Sequence, residues 1–161
     1  MRLELYQQET ERLARDLQAM LDGARERLLQ QQKLSALEQA GLLHALQVLT
    51  ENAIGKAKLL IKQRGQAVPV SGYDAFAQLH RDQIIDAERM AQWTSAIGLR
   101  NRIVHDYLNV DMNLIETLIK EQKYQLQLQF LLAPIEGMDC PVKLGNDRAS
   151  VISVCCLWGW P

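Results

Sequence analysis

Leu13-Ala14-Arg15-Asp16-Leu17-Gln18-Ala19-Met20-Leu21-Asp22-Gly23-Ala24-Arg25-Glu26-Arg27-Leu28 places its apolar residues three and four apart, the repeat that gathers side chains on one side of an α-helix. Extended back to Tyr6, the stripe reads Tyr6, Leu13, Leu17, Met20, Leu21, Ala24 and Leu28, and the other faces carry Gln, Glu and Arg. The spacing predicts a first helix from Leu3 to about Gln30. After a brief connection around Gln32 the same period returns in Leu34, Leu37, Leu46, Leu49, Ala53, Ala57, Leu60 and Ile61, until Gly65 ends it. Two long helices joined by a short turn pack antiparallel, which is the first half of a four-helix bundle.

Downstream, the stretch from Gly65 to Gly72 holds Val68, Pro69, Val70 and Ser71, a turn-forming connector. Tyr73 to His80 reads as a short helix with Tyr73, Phe76 and Leu79 inward. Asp82 or Asp86 can start the next helix, with Ile84, Ile85, Met90 and Trp93 supplying its packing. Gly98 is expected to break or kink that helix, because glycine inside a helix costs about 1 kcal/mol relative to alanine. Tyr107-Leu108-Asn109-Val110 is expected to turn, and Asp111 to cap a final helix carrying Leu114, Ile115, Leu118, Ile119, Leu126 and Phe130. Pro134 ends it. Residues 1–133 thus read as one helical domain, and 134–161 as a tail without helical periodicity that includes the apolar run Val151 to Trp160.

Composition agrees with an all-α fold. The chain has 161 residues and is 48% hydrophobic, enough for one domain with a core, while aromatics are only 6%. A formal charge of -1 exerts no global pull on nucleic acid, so any such surface must come from local clustering or assembly. Met1 to Leu17 reads as an amphipathic helix rather than a leader. No run approaches the roughly 20 apolar residues that span a bilayer, so the expected location is cytoplasmic, without membrane contact. Cys140, Cys155 and Cys156 fall in the tail and match neither a disulfide framework nor a zinc spacing.

Chemistry concentrates in Gly98-Leu99-Arg100-Asn101-Arg102-Ile103-Val104-His105-Asp106-Tyr107. On a helix Asn101 and His105 share one face, and Leu99 and Ile103 share another, apolar one. Arg100 and His105 lie about 140° apart around an ideal helix and about 7.5 Å apart along it. Their side chains are long enough to converge on one phosphate. Arg102 and Asp106, four apart, can pair at the surface, which leaves Arg100 as the working arginine. Its planar fork matches phosphate oxygens, and histidine is the usual acid or base. His44 and His80 lack such company and read as surface or boundary residues. Lys56, Lys58, Lys62 and Arg64 read as a solvated face near a helix end, with an RNA track as the other reading. Asp82 and Asp86 read as helix-start residues rather than metal ligands.

Arg100-Asn101-Arg102-Ile103-Val104-His105-Asp106-Tyr107 resembles the signature of the HEPN superfamily: arginine, a polar residue, then histidine. Tyr107, two after His105, narrows the likeness to the HepT-like toxins. It extends from Leu3 to Leu132, with further likeness in Glu51-Asn52-Ala53-Ile54 and in the segment from Tyr73 to Leu79. The resemblance implies a HEPN-like antiparallel four-helix bundle with an additional short helix. It implies the toxin of a type VII-like toxin–antitoxin system, a metal-independent endoribonuclease without a cofactor. Arg100 and His105 would be catalytic, Asn101 would fill the polar slot, and a two-fold homodimer would bring two such pairs to a shared cleft that binds the RNA substrate. The implied partner is a minimal nucleotidyltransferase antitoxin that attaches AMP to Tyr107. Negative charge and bulk two residues from the imidazole would then occupy the place of an RNA phosphate. Two other readings stay open: a non-catalytic helical module that binds a nucleotidyltransferase or nucleotide, and a purely structural four-helix dimer.

Overall fold

Four helices begin where a short oxygen-bearing side chain meets an orphaned amide. Ser35 Oγ accepts from the Glu38 N–H at 3.2 Å while Glu38 Oε2 accepts from the Ser35 N–H at 2.7 Å, a reciprocal capping box. Ser71 takes the Asp74 amide at 3.0 Å, Asp86 the Arg89 amide at 2.8 Å and Asp111 the Asn113 amide at 2.9 Å. In the computed structural model, which describes residues 3–135, these caps open α2 (Ala36–Gln63), α3 (Gly72–Arg81), α4 (Ala87–His105) and α5 (Met112–Lys120). Helix α1 (Leu3–Leu29) precedes them, α6 (Gln125–Leu132) follows, and a single 3-10 turn spans Tyr107–Asn109.

Helix α2 is the central strut, packed on α1, α3, α4 and α6, while α1 also meets α5 and α6. The bundle is therefore α1, α2, α4 and the α5–α6 pair, with α3 as the additional short helix. Phe76 of α3 stacks on Trp93 of α4 at 3.9 Å between centroids and 17° between planes. Phe130 of α6 meets the Trp93 ring edge-on at 5.2 Å. These three rings lock α3, α4 and α6 together, and α2, on which all three helices pack, buries Leu49, Ala53 and Leu60.

Four ends close by one device. After α1, α2, α3 and α5 the chain turns at Gln31, Gly65, Gln83 and Gln122, all with φ between 55° and 70°. Each reversal is sealed by paired backbone bonds such as Gln83 N–H to His80 O at 3.0 Å and Ile84 N–H to Leu79 O at 2.9 Å, the Schellman pattern. Only Gly65 enters this left-handed region without a side-chain penalty. Gln83→Gly is accordingly expected to raise stability by about 0.5–1 kcal/mol, read as an upward shift of the urea midpoint.

The last device corrects one expectation. Asp111 does cap a helix, but α5 stops at Lys120 and α6 restarts at Gln125. The reversal at Gln122 buries Tyr124, whose hydroxyl donates to Asp22 Oδ1 of α1 at 2.5 Å. Gly98 does not break α4, which runs through it; burial of Trp93, Ile97 and Ile103 on both sides outweighs the propensity cost. Asp86 starts α4, whereas Asp82 caps the end of α3. Met20, Leu37 and Tyr73 are exposed rather than inward. Leu34, just ahead of α2, closes that end of the core in place of Leu37, and the ten-residue α3 buries only Ala75, Phe76 and Leu79. The proposed tail lies outside the described residues beyond Ile135, as do its three cysteines. Among the described residues no helix is long and apolar enough to cross a membrane.

The basic cluster of α2 is not one solvated face. Lys56 is fully buried. Its ammonium donates to the Leu131 carbonyl at 2.9 Å and to the Ala133 carbonyl, lies 5.8 Å from the centre of the Phe130 ring, and so satisfies the exit of α6. Gln7 Nε2 of α1 reaches the same two carbonyls at 3.4 and 3.3 Å. Burial pushes the Lys56 ammonium down to about 8, partly offset by the Glu11 carboxylate. The unfolded chain therefore holds that proton more tightly. Stability should rise as pH climbs from about 8 toward the ordinary lysine range, by up to about 1.4 kcal/mol per pH unit for one proton. Burial and Asp22 push Tyr124 up to about 12, so its deprotonation in the unfolded chain reverses the trend above about pH 10. Urea titrations between pH 7.5 and 10 read this slope, and Lys56→Met should abolish it.

Candidate active site around Arg100 and His105

Trp93, Ile97 and Arg100 are spaced four and three apart, so Arg100 continues the inward stripe of α4 rather than standing on its outer face. Its side chain is 27% exposed and turns toward α2. There Glu51 Oε1 accepts from Arg100 Nε at 3.1 Å and from Nη2 at 2.9 Å. Arg100 Nη1 donates to Asn101 Oδ1 at 3.1 Å. Gln47, one turn earlier on α2, donates its Nε2 to the same Glu51 oxygen at 3.0 Å.

His105 is the last residue of α4 and is exposed. Among the described residues its ring has no hydrogen-bond partner. Asn101 thus engages the guanidinium rather than the imidazole with which it shares a face. Beyond His105 the chain leaves the helix at Asp106 (φ -143°), whose amide still donates to Arg102 O at 2.8 Å. The expected Arg102–Asp106 pair does not form. Asp106 Oδ1 instead accepts from Asn109 Nδ2 at 2.6 Å, which closes the 3-10 turn and holds Tyr107 half in solvent at 48% exposure. Leu108 is 94% exposed, and Val104 on the last turn of α4 is exposed too.

The structure therefore joins Arg100 to Asn101 and leaves His105 and Tyr107 open to solvent nearby in sequence. A groove of about 820 Å³ lies between α4 and α5–α6, lined in part by Leu46, Leu99, Arg102, Leu114, Leu118 and Tyr124. Neither Arg100 nor His105 lines it. Glu51 is the site residue to which the sequence reading assigned no role. It is the one acidic residue between Leu42 and Ile61, a signal that a charge on this packed helix answers another charge.

Residues 10–130 match the family described as Ribonuclease HepT-like. The chain belongs to that family. The HepT-like match includes Glu51, Arg100, Asn101, His105 and Tyr107 and covers most of the bundle. The tRNA nuclease HepT of Aphanizomenon flos-aquae (strain 2012/KM1/D3) is 32% identical over 81 residues, 50% of this chain and 55% of that protein. The likeness thus spans about half of that relative. A chain from a structure described as "Crystal structure of the toxin-antitoxin with AMP-PNP" aligns with a TM-score of 0.62 at 18% identity, covering 81% of this chain and 99% of that one. This shared fold is all-α.

Proposed function

We propose that the chain is the toxin of a toxin–antitoxin pair, a cytoplasmic endoribonuclease that cuts RNA without a metal at a site shared across a homodimer. The observation that carries this reading is the placement, within about one and a half helical turns, of an anchored guanidinium and an exposed imidazole that has no hydrogen-bond partner among the described residues. Transfer RNA is the substrate class that the HepT relative supports. In the reaction the 2′-oxygen bonds to phosphorus as its proton passes to one imidazole, and the bond to the 5′-oxygen breaks as a second imidazole returns a proton to it. Arg100 stabilises the charge that builds on the phosphorane oxygens. One chain supplies one such histidine, so a two-fold partner supplies the other. The exposed apolar side chains of Val104 and Leu108 flank His105 and suit a surface that this partner covers.

The Tyr107 hydroxyl is the acceptor for AMP in this reading. A nucleotidyltransferase antitoxin would form the tyrosyl–phosphate bond from ATP and release pyrophosphate, placing charge and bulk beside His105. Purified protein incubated with tRNA and a chelator should leave ends bearing a 2′,3′-cyclic phosphate and a 5′-hydroxyl. Incubation with the cognate antitoxin and ATP should place AMP on Tyr107 by mass spectrometry and stop cleavage. Intact RNA in the first experiment favours a non-catalytic binding module; AMP on another residue refutes the Tyr107 assignment.

A further inference from the structure

We infer that Glu51 is the positioning residue of this site, aiming the Arg100 guanidinium at the scissile phosphate. This role rests on the reading of Arg100 as the phosphate ligand. An arginine offers five N–H donors in a rigid plane. Among the described residues three are engaged, Nε and one Nη2 proton by Glu51 Oε1 and one Nη1 proton by Asn101 Oδ1. Two remain for the oxygens of a phosphate, and the three bonds already made fix the plane from which they project.

Glu51 is itself held. Its Oε1 receives Gln47 Nε2 as well as the two arginine donors, and its neighbours Thr50 and Ala53 are buried in the most heavily packed helix. Fold stability does not account for the pair. With side chains 27% and 37% exposed, such an ion pair adds little to folding. Nor does simple attraction of RNA, because a carboxylate against the guanidinium weakens the local positive field. Geometry is what the pair supplies.

The test is single-turnover cleavage of tRNA by the full chain. Glu51→Ala should slow the step at saturating RNA by about 10–100-fold, the scale of a misplaced reacting group, with little change in the RNA concentration that gives half the maximal rate. Glu51→Gln keeps an oxygen acceptor at the same reach and should restore most of the rate. In an Arg100→Ala background, Glu51→Ala should have no further effect, since its influence passes through the missing guanidinium. If Glu51→Ala does not melt as the parent does, Glu51→Asp, which withdraws the carboxylate by one methylene, carries the same expectation. A parent-like rate for the folded variant, a faster one, or losses that multiply in the double variant would overturn the positioning role. An undiminished rate for Arg100→Ala would instead overturn the reading of the site itself.

Discussion

His105→Ala is expected to lower single-turnover RNA cleavage by about 10²–10⁴-fold, the range over which a positioned acid or base acts. The melting midpoint should hardly move. His105 is exposed, ends its helix and has no hydrogen-bond partner among the described residues, so its removal forfeits at most a favourable interaction with the helix terminus, under about 1 kcal/mol. Arg100→Ala should reduce the rate by about 10²–10³-fold, as loss of a transition-state charge partner does. Arg100→Lys should not rescue it, because an ammonium cannot bridge Glu51 and Asn101 while presenting a planar fork to phosphate. Parent-like cleavage by His105→Ala, with the variant folded, would remove the imidazole from the mechanism.

Trp93→Ala should be the most damaging single change to the fold. The indole is 1% exposed, stacked on Phe76 and met edge-on by Phe130, so truncation deletes the shared contact of three helices. Such substitutions cost about 3–5 kcal/mol, against a total of about 5–15 kcal/mol for a native domain. Urea denaturation reads the loss directly, and thermal melting should fall by about 10 °C or more. Trp93→Phe keeps an aromatic plate and should be considerably milder. A destabilisation below about 1 kcal/mol would show that the aromatic cluster is not what fixes α4 on α3 and α6.

The long helices were legible because their stripes repeat over many turns, and α1 and α2 match their expected spans closely. The short final helices were not. No glycine or proline marks the reversal at Gln122, which is set by tertiary burial of Tyr124 against Asp22. Gly98 misled in the opposite direction: a local penalty of about 1 kcal/mol is smaller than the burial flanking it. Lys56 looked like one of a solvated set because the carbonyls it serves lie 75 and 77 residues away. At the site, the resemblance supplied Arg100, Asn101, His105 and Tyr107 as candidates. It placed Glu51 within the likeness without its task, since a partner 49 residues distant appears only when α2 and α4 pack.

Arg100 stands in line with Trp93 and Ile97 on the inward side of α4, and this opens a short route to inert descendants. A hydrophobic residue at position 100, with an uncharged one at 51, would extend the apolar seam and leave the bundle as firm as before or firmer. Lineages that discard the proposed chemistry yet retain the scaffold should therefore lose both charges together, whereas the exposed imidazole can drift away alone without any trace in the core.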